Sequence, residues 1–336
     1  MHSSKKVVMD NKKKGPGLLF AKLGIVVLAV FGFTVGGLAF YGDCEKRNYD
    51  GCYQYKLQLL KNSANERKAV FIGGSSTNFG IHAKLFEEET GIRAINMGLS
   101  AGRSFEAYLE SVKPYIKDGD YVFMCPEHPY YHSEFHNIDN GTSMFYLFQN
   151  FDAIKINNAT DVYNTVKYSL YNGWTGWLNA ILQVFDEMLV DVFHTKTPAV
   201  YDRWTCNENG DFTFHKDLTP TIYTPGNVSS ALNSFTFFDG LRNYINEWKQ
   251  TVNFTPYLLF APIDENAIAG DLGFPQLEEL IEERTGIKIL NSQLESAYPR
   301  EYFFDTYYHL KWEYGDTHTQ LIIDKFIHFD IDNEII

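Results

Sequence analysis

Three short apolar runs alternate with amphipathic segments in one stretch of the chain, and no other sequence feature restricts the fold as much. The runs are KAVFI at 68–72, RAINM at 93–97 and YVFMC at 121–125. The segments between them, 82–90 and 104–117, carry apolar residues at helical spacing. This order of strand, helix, strand, helix and strand predicts an α/β fold with three layers, α/β/α, around a doubly wound parallel sheet.

The rest of the outer region extends this pattern with one long interruption. It runs from about 130 to 253, is crowded with aromatic residues and predicts a helical insertion. We expect most aromatic side chains between Tyr146 and Trp204 to form the core of the insertion, with stacking on sugar rings or contact with a membrane surface as alternatives. Further elements are predicted around it: helices at 53–63, 238–251, 275–285 and 311–327, and strands at 256–261 and 287–290.

The N-terminal segment predicts a membrane anchor. Residues 1–17 include a run of lysines, and residues 18–41 are apolar with one charge, Lys22. The uncharged run 23–41 is about as long as a bilayer crossing requires, roughly 20 residues. The lysines before it predict a cytoplasmic N-terminus. A cleaved signal peptide is the alternative, but the run is long for one and GGLAFYGD is a poor cleavage site.

We therefore expect an extracytoplasmic juxtamembrane segment at 42–67 and a large domain at 68–336. The net charge is −13 although the tail is basic, so the outer part is acidic and nucleic acid is excluded as a partner. A disulfide is permitted outside the cytoplasm, and Cys44 and Cys52 lie close enough in sequence to form one. Cys125 lies in an apolar run, where a buried free thiol is expected.

The sequence VFIGGSSTNFG at 70–80 places a serine just after the first strand. Open α/β sheets hold their sites at the carboxyl ends of their strands, so this serine is a candidate nucleophile. The alternative is an ordinary strand-to-helix turn at the two glycines, with Ser75 or Ser76 as the helix N-cap.

A second chemical cluster, Asp305 and His309, lies just before the closing helix. An acid four residues before an imidazole in a loop can bind one ring nitrogen and leave the other for a nucleophile. The acid then orients the histidine, and the histidine accepts the serine proton. The alternatives are a turn aspartate and a surface or capping histidine.

The motifs GGSSTNFG, INMGLSAG and DTYYHL follow one another in this order behind the predicted anchor. They resemble the first, second and last blocks of the SGNH/GDSL hydrolase superfamily, whose domain is flavodoxin-like. The nearer likeness is to membrane-anchored bacterial members that handle acyl groups of cell-wall or exopolysaccharide, a group that includes the lipoteichoic-acid D-alanylation protein.

This resemblance implies a role for each matching residue. Ser75 is the implied nucleophile and its backbone NH one oxyanion donor, with Ser76 as the alternative nucleophile. Asp305 and His309 complete the implied triad. The second block begins at Asn96 and implies a second oxyanion donor from a glycine amide. The candidates for that donor are Gly102, the first choice, and Gly98. Candidate lining residues of the site are Ser76, Asn96, Glu127 and His128.

The third block departs from the family, which has Gly-x-Asn-Asp after the third strand. Here the strand continues into CPEHPYY, so Glu127 or His128 takes the place of the asparagine donor. This departure fits an acyltransferase or a polysaccharide-specific esterase better than an enzyme for free esters. His128, His132 and His136 recur every fourth residue and could ligate zinc, but a serine mechanism needs no metal, and we expect neither a metal nor another cofactor.

The expected function is therefore acyl transfer or ester hydrolysis on O-acyl groups of cell-surface polysaccharide. The expected partners are a glycan or polyol substrate, the membrane, and a membrane-bound O-acyltransferase. The alternative from another class is a catalytically inactive protein that binds polysaccharide or assists assembly beside a membrane acyl exporter. The missing third block keeps that alternative open.

Overall fold

The computed structural model of the protein describes residues 16–45, 49–193 and 206–331. Five strands form one parallel sheet in the order β2-β1-β3-β4-β6, and β5 pairs with β7 in a separate parallel ribbon. The strands are β1 Lys68–Gly73, β2 Arg93–Asn96, β3 Tyr121–Cys125, β4 Thr255–Leu258, β5 Ile263–Asp264, β6 Lys288–Ile289 and β7 Ala297–Tyr298.

Helices connect and cover these strands. They are α1 Pro16–Glu45, α2 Cys52–Asn62, α3 Ser75–Gly80, α4 Ala83–Thr90, α5 Phe105–Val112, α6 His128–Tyr131, α7 Asn140–Met144, α8 Ala159–Phe193, α9 Thr236–Lys249, α10 Phe274–Thr285 and α11 Trp312–Phe326. Both α4 and α10 end at a glycine in the left-handed conformation, Gly91 and Gly286, which stops each helix before the next strand.

The predicted α/β class and parallel sheet are confirmed. β1 and β3 are buried along their whole length, as expected for strands with helices on both faces. On one face, Phe326 of α11 and Phe86 of α4 contact each other, and both contact Phe123 of β3. Right-handed crossovers place α5, α9 and α10 on the other face.

The strand order locates the functional edge of the sheet. Strand β2 lies on one side of β1, and β3 and the later strands lie on the other. The direction in which the chain adds strands to the sheet therefore reverses between the adjacent strands β1 and β3. Ligands of open α/β sheets bind at such a reversal, outside the carboxyl ends of the strands. Gly73 and Cys125, the last residues of β1 and β3, pair with each other, so both strands end at this point.

The juxtamembrane segment is built into the domain. Tyr53 and Leu60 of α2 are fully buried in the main hydrophobic core. Cys52, the first residue of α2, forms a disulfide with Cys206. The pairing of Cys52 with Cys44 that the sequence permits is therefore not the one formed, because folding brings a cysteine 154 residues away against α2. Cys125 is a buried free thiol, as predicted.

Helix α1 contains the predicted anchor. Its segment Phe20–Phe40 has a mean hydropathy of 2.4 and is long and apolar enough to cross a membrane. Among the described residues it is the one helix that meets this criterion. The basic tail predicted at 1–17 lies almost wholly outside the described residues.

The aromatic insertion divides into two parts. Tyr130, Tyr131, Phe145 and Tyr146 are buried in the core. The aromatic residues of α8 behave differently, because Tyr163, Tyr171, Trp174 and Phe185 are more than half exposed. The expectation of an internal core is therefore wrong for α8, which packs along α1 instead.

We expect the Cys52–Cys206 disulfide to contribute strongly to stability, because it closes a very long loop in the unfolded chain. Cys206→Ser should lower the free energy of unfolding by about 2–5 kcal/mol, measured by thermal or chemical unfolding. Cys44→Ser is the control and should change little. Peptide mapping without reductant that linked Cys52 to Cys44 would contradict this pairing.

We expect the contact of α1 with α8 to require glycine at position 37. A Cβ on Gly37 would lie 1.6 Å from the carbonyl oxygen of Gly173, whereas a Cβ on Gly32 would have no atom within 4 Å. Gly37→Val should therefore destabilise the helix pair by about 1–3 kcal/mol in detergent, the usual cost of overpacking. Gly32→Val is the matched control, and equal losses from the two variants would contradict the packing.

Candidate active site

Ser75 begins α3, directly after the carboxyl end of β1. It is partly exposed, whereas Ser76 is completely buried and the other residues of α3 are buried with it. The two glycines before it allow a close approach. A Cβ on Gly73 would lie 2.0 Å from Thr77 Oγ1, and a Cβ on Gly74 would lie 2.6 Å from Glu127 Oε1. Of the two serines, Ser75 is therefore the one that a substrate can reach.

Asp305 and His309 are joined as the sequence predicts. Asp305 Oδ1 lies 2.7 Å from His309 Nδ1. Thr306 Oγ1 accepts hydrogen bonds from the backbone amides of Tyr308 and His309, which closes the turn between the acid and the imidazole. With Nδ1 occupied by the carboxylate, Nε2 is the nitrogen left to act as a base.

The imidazole of His309 lies against the helix that carries Ser75. Its ring stacks on Phe79, with centroids 4.2 Å apart and planes 9° from parallel. Phe79 is four residues after Ser75, so the two share one face of α3. The structure thus brings the C-terminal acid–imidazole pair to the helix of the candidate nucleophile, across more than two hundred residues of sequence.

Glu127 lies at the same helix N-terminus. Its Oε1 accepts a hydrogen bond of 2.6 Å from the Ser76 backbone amide, and its side chain is buried. Burial raises the pKa of this carboxyl, although the amide and hydroxyl groups of the serines oppose the shift. Glu127 therefore occupies the position beside the nucleophile that the third sequence block predicts.

His128 contacts the loop that carries His309. Its Nδ1 lies 3.0 Å from the Tyr308 hydroxyl, and its ring packs against Tyr131 and Phe274. Burial lowers its pKa to about 3, so it is neutral at physiological pH. His128 supports the loop of His309 through Tyr308, and of the two residues proposed for the third block, Glu127 is the one at the site.

The two glycines proposed as oxyanion donors already have acceptors. The Gly98 amide donates to Asn96 Oδ1 at 2.9 Å, and the Gly102 amide donates to Ser100 Oγ at 3.3 Å. The amide nitrogen of Ala101 lies 2.9 Å from the position that a Cβ on Gly74 would take, beside Glu127. Ala101 is therefore a third candidate donor, which motif matching to glycine could not find.

Asn96 is a support rather than a lining residue. Its side-chain amide donates to the carbonyl oxygens of Thr77 and Ile81, at 3.1 Å and 2.9 Å. These bonds join the end of β2 to α3, and its Oδ1 holds the Gly98 amide. Asn96 thus positions the nucleophile helix and the neighbouring loop together.

A buried lysine strengthens the same junction. Lys56 Nζ donates to Asn78 Oδ1 at 2.5 Å and to the Gly98 carbonyl oxygen at 2.7 Å. Burial lowers the pKa of Lys56 to about 7. In the sequence this residue looks like any exposed helical lysine, so the helix pattern gives no sign of its role.

The three histidines proposed as a zinc site do not share a helix face, because α6 ends at Tyr131. His136 instead contacts Glu106 and Asp161, at the base of α8. Across the residues that the structure describes, no group of histidine, cysteine, aspartate or glutamate side chains is arranged to hold a metal.

Comparison with known proteins does not assign a function to the chain, so its function can be argued only from the geometry of the site. No protein-family model matches the chain. No curated protein matches it significantly.

We expect the ionised form of Glu127 to lower the stability of the folded protein. Because its pKa is raised in the folded state, the folded protein binds the proton more tightly, and stability falls as the pH rises through the raised pKa. Glu127→Gln should keep an acceptor for the Ser76 amide and be more stable than the native protein at alkaline pH. That difference should vanish below pH 4.5, the ordinary pKa of glutamate.

Glu127→Ala separates this effect from the hydrogen bond. It leaves the buried Ser76 amide without its acceptor, so we expect a loss of about 1–3 kcal/mol below pH 4.5, where the native carboxyl is protonated, measured by chemical unfolding. Glu88→Ala, at an exposed position on α4, is the control. A Gln variant as unstable as the Ala variant would contradict this account.

Proposed function

We propose that the protein is a membrane-anchored, extracytoplasmic serine acyltransferase or esterase of the SGNH type. It acts on O-acyl groups of cell-surface polysaccharide through Ser75, His309 and Asp305. One observation carries the proposal: the hydrogen-bonded Asp305–His309 pair stacks on Phe79 in the helix that begins with the accessible Ser75.

The proposed chemistry has two half-reactions. Ser75 Oγ attacks the acyl carbonyl carbon while His309 takes the serine proton, and the proton then passes to the oxygen of the leaving alcohol. The result is an acyl-serine. A sugar or polyol hydroxyl, or water, then loses its proton to His309, attacks the acyl carbon and restores Ser75. Asp305 orients the imidazole and balances the imidazolium charge.

Backbone amides stabilise the negative charge that develops on the carbonyl oxygen. The Ser75 amide is one donor, and an amide of the 98–102 loop is the second. A well-aligned donor of this kind contributes roughly 3 kcal/mol to transition-state stabilisation. Glu127 stands where the SGNH family has an asparagine donor, and it can donate a hydrogen bond only when protonated. Its raised pKa supports that role, because burial favours the protonated form.

Three features support the proposed location of the domain. Helix α1 provides the anchor, and the lysines before it favour a cytoplasmic N-terminus. The Cys52–Cys206 disulfide supports an oxidising compartment for the domain. We propose a cell-surface glycan or polyol as substrate, with a membrane-bound O-acyltransferase as a partner that supplies the acyl group.

The second candidate function is a catalytically inactive polysaccharide-binding or assembly protein beside an acyl exporter. The observation that favours it is the carboxyl of Glu127 at the nucleophile loop, because an ionised carboxylate there would oppose a developing oxyanion. The two candidates differ in whether Ser75 is reactive.

We expect a fluorophosphonate probe to label the purified full-length protein at Ser75. Ser75→Ala should abolish labelling, and Ser76→Ala should retain it because Ser76 is buried. His309→Gln should slow labelling by about 10²-fold or more, the usual contribution of a general base. The readout is in-gel fluorescence of folded protein, checked by circular dichroism.

The same experiment distinguishes the two candidates. Absence of labelling in the folded native protein would support the binding protein. Labelling that survives Ser75→Ala would place the nucleophile elsewhere.

A further inference from the structure

Helix α8 is joined to the anchor helix α1 by close backbone contact. A Cβ on Gly173 would lie 2.6 Å from the Thr34 carbonyl oxygen, so only a glycine fits there. The indole of Trp177 donates a 2.9 Å hydrogen bond to the Phe33 carbonyl oxygen, and its ring packs on Phe33 and Phe40. Small residues at such a crossing are typical of helix pairs within membranes.

This contact lies within the membrane-spanning part of α1, because Phe33 to Gly37 fall inside the span Phe20–Phe40. Helix α1 joins the domain at its C-terminal end, whereas α8 joins it at its N-terminal end, where Asp161 contacts His136. The two helices therefore run in opposite directions. Beyond their contact with each other, both extend away from the domain. Beyond Trp177, α8 continues for sixteen residues to Phe193, about 24 Å.

The far part of α8 presents an uncovered apolar stripe. Leu178, Ile181, Leu182 and Phe185 are each between 52% and 59% exposed. They recur at helical spacing on one side of the helix. The sequence from 168 to 185 contains no charged residue. A stripe like this is costly to leave in water, since each such side chain gains about 1.5–3 kcal/mol on complete burial.

The side chains change in character along α8 as the environment of a bilayer changes with depth. Tyr163, Tyr171, Trp174 and Trp177 come first, nearest the domain. Val162, Val166 and Leu170 lie among them, but beyond Trp177 the helix has no tyrosine or tryptophan, and its large apolar residues are aliphatic, methionine or phenylalanine. Tyrosine and tryptophan favour the membrane–water interface, whereas leucine, isoleucine and phenylalanine favour the hydrocarbon.

The uncharged parts of the two helices also match in length. In α8, the first charged residue after Gly173 is Asp186, thirteen residues further along the helix. In α1, the first charged residue before Gly37 is Lys22, fifteen residues back. Both distances are about 20 Å along a helix. The two uncharged segments therefore reach a similar depth from their shared glycine contact.

We propose that α8 lies in the lipid bilayer beside α1, with Leu178, Ile181, Leu182 and Phe185 against the acyl chains. Helix α8 then enters the bilayer beside the anchor without crossing it, because Cys206, thirteen residues after Phe193, is bonded to Cys52 in the domain. Lipid is the occupant because α8 packs on α1, the helix that is apolar enough to cross a membrane and whose Leu28 and Phe31 are 70% and 66% exposed. This proposal rests on the membrane anchor in the proposed function and is independent of the chemistry at Ser75.

Tryptophan quenching by brominated lipid tests the proposal in the full-length protein, reconstituted in phosphatidylcholine and phosphatidylglycerol vesicles. In a Trp174→Phe background, which keeps the Trp177 hydrogen bond to Phe33, a single tryptophan is added on α8 by Leu182→Trp. Leu28→Trp on α1 is the lipid-facing control, and Tyr55→Trp, at an exposed site on α2, is the water-facing control. Ile181→Trp repeats the α8 test if Leu182→Trp does not fold.

We expect bromine in the middle of the acyl chains to remove the added emission of Leu182→Trp as fully as that of Leu28→Trp, and to leave that of Tyr55→Trp unchanged. Quenching of Leu28→Trp without quenching of Leu182→Trp overturns the proposal. In that case, a dimer mass in nanodiscs would identify a second copy of the chain as the cover of α8. If neither tryptophan is quenched, the anchor itself is overturned, while labelling of Ser75 still tests the enzyme separately.

Discussion

The hydrogen bond from the Ser76 amide to Glu127 holds together the part of the fold on which the candidate site depends. It links the ends of β1 and β3, the two strands between which the sheet reverses its order. The first amides of a helix have no partner within the helix, and a carboxyl group satisfies one of them while interacting favourably with the helix dipole. Its burial is costly, and that cost appears as the raised pKa of Glu127. Glycine is required at positions 73 and 74 because a side chain at either position would displace Thr77 or Glu127.

The juxtamembrane segment supports this junction from the other side. Lys56 bonds both to α3 and to the 98–102 loop, and the Tyr49 hydroxyl donates to the Leu99 carbonyl oxygen while accepting from Asn78. Asp50 pairs with Arg103, which is buried at the end of the same loop. Residues 49–62 are therefore a structural part of the domain that begins at β1, rather than a spacer between it and the membrane.

Local sequence signals predicted the fold well, whereas contacts between distant parts of the chain could not be predicted from them. The first three strands, α4 and α10 agree with the predicted elements to within about one residue, because apolar runs and terminal glycines specify them. Ser75 at the carboxyl end of β1 and the spacing of Asp305 and His309 are also local features of the sequence. The partner of Cys52, the burial of Lys56 and the Ala101 amide depend on how remote segments pack. The spacing of His128, His132 and His136 suggested one helical face, which does not form because α6 stops after one turn. The aromatic residues of α8 misled because an exposed membrane-facing helix and a buried helix have similar compositions.

If α1 is the membrane anchor that we propose, its short connection to the domain holds the candidate site close to the membrane. Four peptide units separate Glu45, the end of α1, from Tyr49, and they can span at most about 14 Å. Tyr49 then contacts Leu99 and Asn78, one in the candidate oxyanion loop and the other in the helix that begins with Ser75. Because the apolar span ends at Phe40, only about 8 Å of helix lies between it and the end of α1. In the proposed arrangement, Ser75 lies on the part of the domain nearest the anchor, where a donor held at the outer membrane surface would approach it. A site held so close to the bilayer is better suited to receiving an acyl group from a membrane-bound carrier than to hydrolysing esters along a distant glycan, which favours acyl transfer within the proposed function.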